Sequence, residues 1–430
     1  MENKKIVGNA SWIIACKLIK AVLTFLVTMI TARCLGPGNY GLISYAAGVV
    51  AFVAPIMKLG FDSILVHELV NSPENEGKTL GTAIVLNLIS AIVCIVGVFV
   101  FVVFTNAGEK EAIIVCTLYS MMLIFQGLEM IQYWFQSKLM SKYTSVSMMI
   151  SYVCVAVFQV IILLTNKNIY LYSLSNSIDF LIISIMLFLA YKKLGGKKLE
   201  ISVELGKKML NKSKFYIISG LMVMVFSQTD KIMIKNMIGN EATGFYSAAA
   251  TCAGMTSFVF AAIMDSVRPV VFEGKKVGQE HFENILCKVY SVIIYSSLAV
   301  SFFITIFSPI IIRIMYGTVY DPSINVLRIS VWFTTFSYLG TVRDMWILAE
   351  GKQKYIWRIN LCGALMNIFL NFVLIPFIGI NGAAVASLLT QFFTNVILGD
   401  ILRPIRPNNK IMRKSFGIKY FISVIKYVLG

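Results

Sequence analysis

The sequence predicts an all-α integral membrane protein of about twelve transmembrane helices, arranged as two six-helix lobes related by a parallel pseudo-two-fold axis. Three observations predict it. Of 430 residues, 58% are hydrophobic and only 14% are charged, against about 45–50% and about 25% in soluble chains. Apolar runs close to the 20 residues that cross a bilayer recur along the whole chain. Finally, motifs of the first half return in the same order in the second.

The apolar runs fall at 10–32, 41–60, 79–104, 112–134, 145–165, 168–191, 214–237, 244–264, 288–313, 325–346, 357–377 and 380–399. Basic residues orient them. The 192–214 connection carries Lys192, Lys193, Lys197, Lys198, Lys207, Lys208, Lys212 and Lys214. The N-terminus and the 135–144, 265–288 and 350–358 loops are also basic, as is the stretch from Arg403 to Lys414. All fall on one side if the crossings number twelve. Loops on the opposite side, such as 33–40, 165–168 and 377–380, are short and nearly uncharged. The positive-inside rule then places both termini in the cytoplasm. The same rule accounts for the net charge of +17 without a nucleic-acid partner. The expected divisions are 1–205, an N-lobe with its basic linker; 206–402, a C-lobe; and 403–430, a basic tail. Its last stretch, "KSFGIKYFISVIKYVLG", alternates lysines with apolar residues and reads as an amphipathic helix on the inner leaflet. Eight scattered cysteines without a CxxC and two distant histidines, His67 and His281, make neither a disulfide framework nor a metal centre.

The repeat is visible residue by residue. "LGPGNYGLISYAA" (35–47) aligns with "IGNEATGFYSAAA" (238–250), pairing Gly36 with Gly239, Gly41 with Gly244 and Ser44 with Ser247. The same shift brings Asp62 onto Asp265. Further on, Trp134 pairs with Trp346, Lys142 with Lys354 and Tyr143 with Tyr355. An even number of crossings per half makes the repeat parallel, a plan that puts a transport site at the lobe interface.

Charges at membrane depth cost about 2.5–3.5 kcal/mol each on insertion scales, so each needs a reason. Lys17 and Lys20 share one helix face in the first run. They serve either as interfacial anchors, with their charges snorkelling, or as cations facing a hydrated cavity. In the seventh run Gln228, Lys231 and Lys235 share a face beside Asp230. Gln126, Glu129, Gln132 and Gln136 make a stripe in the fourth run, and Ser173, Asn176 and Asp179 in the sixth. Arg343 and Asp344 end the tenth. Asn360, Asn367 and Asn371 lie on one face of the eleventh, and Ser387, Gln391 and Asn395 on one face of the twelfth. Single amides serve as interhelical glue; stripes on many helices point instead to a hydrated cleft. Its excess of positive charge suits an anionic, hydroxyl-rich head group, held by Lys17, Lys20, Arg33, Lys231, Lys235 and Arg343. The coupling-ion or ion-pair candidates are Asp62, Asp179, Asp230, Glu129 and Asp344.

Four motifs carry a resemblance: "ARCLGPGNYG", "LGFDSILVHEL", "TDKIMIKNMIGNEATGFYSAA" and "YLGTVRDMWILAEGKQKY". They resemble the polysaccharide biosynthesis flippases of the Wzx type, in the multidrug/oligosaccharidyl-lipid/polysaccharide exporter superfamily, over residues 8–400. The resemblance implies two lobes around a V-shaped central cavity. It implies transfer of an undecaprenyl-pyrophosphate-linked oligosaccharide from the inner to the outer leaflet of the bacterial cytoplasmic membrane. The implied mechanism is alternating access coupled to a cation gradient, with H⁺ or Na⁺ the only small partner and no cofactor. By analogy, a polysaccharide polymerase and glycosyltransferases are its protein partners. Arg33, Gly36, Pro37, Tyr40, Gly41, Asp62, Asp230, Gly239, Gly244 and Tyr246 match the family motifs; His67 stands where the family often has arginine.

Three other functions compete. An organic-cation antiporter of the same superfamily needs acidic, aromatic cavities, which the lysines oppose. A peptidoglycan-precursor flippase would share a cationic cavity and is separated by the motifs alone. A membrane glycan polymerase or glycosyltransferase needs a large extramembrane loop or a DxD motif, and the sequence has neither; the expectation is a transporter, not an enzyme.

Overall fold

In the computed structural model the chain is helical almost throughout, with no strand among the described residues. These are residues 2–165 and 167–429, less the side chains of 2–11, 13–15, 17, 258–259, 425 and 427–430. The chain divides into two compact units, Met1–Gln228 and Thr229–Gly430.

The first unit contains α1 (Glu2–Met57), α2 (Phe61–Asn71), α3 (Glu76–Thr105), α4 (Lys110–Ser120), α5 (Met122–Leu128), α6 (Gln132–Ser137), α7 (Ser141–Thr165) and α8 (Ile169–Lys193). It also holds most of α9 (Val203–Met237). The second contains the end of α9, then α10 (Asn240–Val277), α11 (Gln279–Tyr316), α12 (Ser323–Ala349), α13 (Ile356–Phe392), α14 (Leu398–Ile401), α15 (Arg406–Lys414) and α16 (Ile418–Leu429). The division falls inside α9, beyond the 205/206 boundary read from sequence. The reason is packing: the early turns of α9 lie on the first unit. A Cβ at Gly60 would sit 2.9 Å from the Ser213 carbonyl, a Cβ at Gly220 would sit 2.9 Å from Pro55, and Lys212 bonds Glu68 at 2.5 Å.

Nine segments of the described residues are long and apolar enough to cross a membrane. Three features bear on the difference from the expected twelve. The segments Leu18–Asn71 and Gln353–Ile401 are each too long for one crossing. The first contains a non-helical break at Gly36, and the second at Ile378 and Gly379. A continuous 54-residue helix would be about 80 Å long, against a hydrocarbon core of about 30 Å. The third feature is α12, which covers the tenth expected crossing but carries Arg328, Arg343 and Asp344 and is not among the nine.

The repeat returns in the backbone. Gly36 (φ 73°, ψ 173°) and Gly239 (φ 132°, ψ −175°), paired by sequence, both hold a conformation essentially confined to glycine. No atom lies within 4 Å of a Cβ built on either, so the constraint is torsional and not a matter of space. Further left-handed residues pair in the same order: Gly108 with Gly317, Lys167 with Gly379 and Leu139 with Gly351. Trp134 and Trp346 are both buried in their unit's core. Each has a lysine ammonium over its ring, Lys138 at 5.9 Å and Lys352 at 4.4 Å.

Helices in both units expose apolar faces and bury a mixture of apolar and polar residues. Along α3, Ile89, Val93, Val96, Val100 and Phe104 are exposed at helical spacing; along α11, Phe303, Ile306, Ile310 and Ile314 are. On its opposite face α11 buries Ser297, Ser301 and Ser308. Ser301 bonds the Val331 carbonyl at 3.2 Å and Thr335 at 3.1 Å, the close packing through small residues expected in lipid.

Two stretches read as loops or tail are ordered. The basic 265–288 segment is a helical hairpin: α10 runs to Val277 and α11 resumes at Gln279, about Gly278. At about 57 Å each, both helices outreach the hydrocarbon. The stretch after Arg403 docks on the second unit: Tyr290 donates to Asn408 Oδ1 at 2.9 Å, and Ile411 and Met412 enter its core. α16 follows, with Tyr295 bonded to the Phe416 carbonyl at 2.7 Å and its ring tilted against Phe421 at 5.0 Å.

Gly36→Ala is expected to cost about 1–3 kcal/mol. Gly38→Ala, two residues on in helical backbone with open space around it, should be neutral or stabilising by up to about 1 kcal/mol. Thermal unfolding of the two variants in detergent checks the contrast.

Candidate functional site

In the second unit, one carboxylate organises the polar residues. Asp230 lies two turns from the end of α9 and is only 7% exposed. Its Oδ1 accepts from Asn371 Nδ2 at 2.6 Å and from Asn367 Nδ2 at 3.2 Å. Its Oδ2 accepts from Ser387 Oγ at 2.5 Å and from the Tyr246 hydroxyl. Asn367 also donates to Ser387 Oγ at 3.1 Å, and Asn371 to Asn367 Oδ1 at 3.1 Å. Four donors thus come from α10 and from both arms of α13. The Gly379 break makes this closure possible, because it turns the second arm back along the first. At Gly382 the arms approach until a Cβ would strike the Leu374 carbonyl.

The cage also fits a hard cation. Its members present two carboxylate oxygens, two amide oxygens and two hydroxyls, the oxygen donors that such ions prefer. Asn371 Oδ1 is buried and has no hydrogen-bond partner. Half a turn of that amide replaces a donor to Asp230 with an acceptor beside it.

Arg343 belongs to a second network. It is 4% exposed and donates to the Thr394 carbonyl at 3.0 Å, Asn395 Oδ1 at 2.7 Å and Asp344 Oδ1 at 2.8 Å. Asn395 in turn bonds Gln391 at 2.5 Å. Residues 393–397 form a π-helical turn, whose widened backbone offers the Thr394 carbonyl to the guanidinium. The guanidinium is therefore engaged within the unit. Of the stripes Asn360–Asn367–Asn371 and Ser387–Gln391–Asn395, read from sequence as cleft lining, all but the half-buried Asn360 are buried and bonded to one another or to these two charges.

In the first unit, Lys20 is exposed and donates to the Tyr152 hydroxyl at 3.0 Å, with its ammonium 4.4 Å from that ring's centre. It borders a polar cavity of ≈ 410 Å³. Asp179 accepts from Ser151 Oγ at 2.6 Å. Glu129 is buried in the 3₁₀ turn Glu129–Ile131 that breaks the fourth crossing. Arg33 and Asp62 are exposed, and Ser63 Oγ lies 3.5 Å from Asp62 Oδ1. Lys231 is half-buried and Lys235 buried. The side chain of Lys17 lies outside the described residues. Thus the structure joins Asp230 to residues the sequence placed on other faces, joins Lys20 to Tyr152, and keeps Arg343 with Asp344. Tyr152 was missed, because nothing in its local pattern marks it as the partner of a lysine in the first crossing.

Two groups of variants separate structural from exposed charges. Arg343→Met is expected to destabilise by about 2–6 kcal/mol, since it orphans two buried acceptors at about 1–3 kcal/mol each while the part-exposed Asp344 rehydrates. Tyr246→Phe removes one donor and should cost about 1–3 kcal/mol. Lys20→Met should change stability by less than about 1 kcal/mol. Unfolding midpoints of the purified variants give the ranking.

The sequence profile of the polysaccharide biosynthesis protein family matches residues 6–275, and the MatE profile matches residues 216–373. The chain is 20% identical over 405 residues to the capsular polysaccharide biosynthesis protein CapF of Staphylococcus aureus, covering 90% of this chain and 96% of that one. It is 23% identical over 193 residues to the probable low-salt glycan biosynthesis flippase Agl15 of Haloferax volcanii, 45% of this chain and 41% of that one. Among solved structures, lipid II flippase MurJ in an inward closed conformation superposes with a TM-score of 0.70 at 17% identity, covering 96% of this chain and 92% of that one. This likeness gives the two-lobed helical fold. With the family profile spanning well over half its length and the Asp230 and Gly239 motifs in place, the chain is a multi-pass membrane member of the polysaccharide biosynthesis protein family.

Proposed function

We propose that the protein moves an undecaprenyl-pyrophosphate-linked oligosaccharide from the inner to the outer leaflet of a bacterial cytoplasmic membrane, by alternating access driven through cation binding or protonation at Asp230. The observation that carries this reading is the caged carboxylate, in a family whose relatives include capsule and glycan-flippase proteins.

Unaided, the head group would drag phosphate charge and many hydroxyls through hydrocarbon, at several kcal/mol for each unpartnered polar group. A polar path removes that cost while the prenyl tail stays in lipid. Lys17 and Lys20 are the cations proposed to hold the pyrophosphate on the basic side, which the positive-inside rule makes cytoplasmic. At Asp230, an arriving Na⁺ or H⁺ takes over the charge that four donors now satisfy. Tyr246, Ser387 and the two asparagines are then free to reorient, so occupancy and conformation are linked through the α13 hairpin. One elementary charge crossing the field contributes about 2.3 kcal/mol per 100 mV. Organic cations fit less well, because Lys20 puts a cation into the lining of the polar cavity.

The test uses proteoliposomes and a fluorescent polyprenyl-pyrophosphate disaccharide, with imposed Na⁺ or H⁺ gradients. Wild type should translocate the lipid faster with one gradient, and Asp230→Asn, inserted equally, should lose that acceleration. Wild type that moves no lipid-linked sugar but exports small organic cations would overturn the substrate. An Asp230→Asn variant that keeps full gradient dependence would overturn the coupling site.

A further inference from the structure

We infer that the cavity of the first unit reads the sugar adjoining the pyrophosphate, so that Gln132, Gln136, Thr144 and Tyr152 set glycan preference while Lys20 holds the anionic end; this rests on the function proposed above. The cavity lies wholly within Met1–Gln228, between α1, α6 and α7. Its ≈ 410 Å³ is within the range of about 300–1,000 Å³ usual for small-molecule sites.

The lining has the chemistry of a sugar site. Gln132 and Gln136 sit one turn apart on α6, and each amide offers two donors and an acceptor. Among the described residues neither amide hydrogen-bonds to protein. Ser141, Thr144 and Ser145, all from the first turns of α7, add three hydroxyls. The Thr144 hydroxyl is buried and has no partner, so it awaits one. Hydroxyl-rich ligands supply donor and acceptor together, which amides and hydroxyls match better than any one ion does. Met148 and the Tyr152 ring give apolar surface for the C–H face of a sugar. Among the described residues, the Lys20 ammonium is the charge in the lining.

Position supports the same ligand. Lys20 and Gln136 are exposed, whereas Cys16, Ser141 and Ser145 are buried, so the cavity opens between the first two and closes on the others. Gln136 and Ser141 flank the turn that carries Lys138, and Lys142 follows. The cavity is therefore at the basic end of these helices, at the level of a lipid head group and not of its tail.

The experiment measures binding to the full-length protein in nanodiscs. The probes are farnesyl pyrophosphate and the same compound carrying a hexose, an N-acetylhexosamine or a disaccharide. At least one sugar-bearing probe should bind about tenfold or more tightly than the sugar-free one. Gln136→Leu and Thr144→Val should each erase most of that difference and leave farnesyl pyrophosphate affinity unchanged. Tyr152→Phe, which keeps the ring, should reduce it in part. Lys20→Met should weaken all probes alike. If the sugars add nothing in wild type, or if well-folded Gln136→Leu, Thr144→Val and Tyr152→Phe all keep the wild-type ratio, the cavity is not the sugar site. Wild type that binds no pyrophosphate probe at all overturns the proposed function itself.

Discussion

A carboxylate removed from water must be given back its hydrogen bonds, and Asp230 takes four of them. Much of the second unit is arranged around that requirement. Tyr246 is delivered by the first turns of α10, directly after the Gly239 turn. Asn367 and Asn371 come from one arm of α13 and Ser387 from the other, and the arms meet because the chain breaks at Gly379 and tolerates contact at Gly382. Replacing the glycine at either point would separate donors from the acceptor. The same saturation makes the group responsive. A change of charge at Asp230 leaves several buried donors without an acceptor, each worth about 1–3 kcal/mol, and the fold must rearrange to satisfy them.

The two units share a backbone plan and use it differently. The glycine turns and the buried tryptophans repeat, as expected when two copies of one helical unit face the same torsional and packing constraints. The polar residues do not. In the second unit they close on themselves, around Asp230 and around Arg343. In the first, Asp179–Ser151 and Gln159–Ser175 are closed pairs, but the cavity beside Lys20 stays open and the Thr144 hydroxyl that borders it has no hydrogen-bond partner. Closed networks suit a switch that responds to one small ion. Open ones suit a ligand that brings its own donors and acceptors.

Much of this was legible in the sequence. Apolar length, basic loops and the Gly36/Gly239 and Trp134/Trp346 pairs carried the fold, because they are local signals. Asp230 was legible as a charge at depth. Its partners were on the right helices but were read as lining for water, since helical spacing fixes which residues share a face and not what that face meets. Arg343 was read as a cleft cation for the same reason; two of its acceptors lie some fifty residues on in the chain. The 265–288 stretch was read as a loop because it is charged, although helices continue past the hydrocarbon wherever no residue stops them. Gly278 is where one does.

The central claim is that Asp230 changes its ionic state as part of the working cycle. Difference infrared spectroscopy on the reconstituted protein tests it most directly, with the spectrum recorded as Na⁺ is exchanged in and out and again as pH is stepped. The account predicts a carboxyl band that shifts on Na⁺ exchange, or appears on acidification, in wild type and is missing in Asp230→Asn. Identical difference spectra for the two proteins would contradict it, leaving Asp230 as a structural tie between helices.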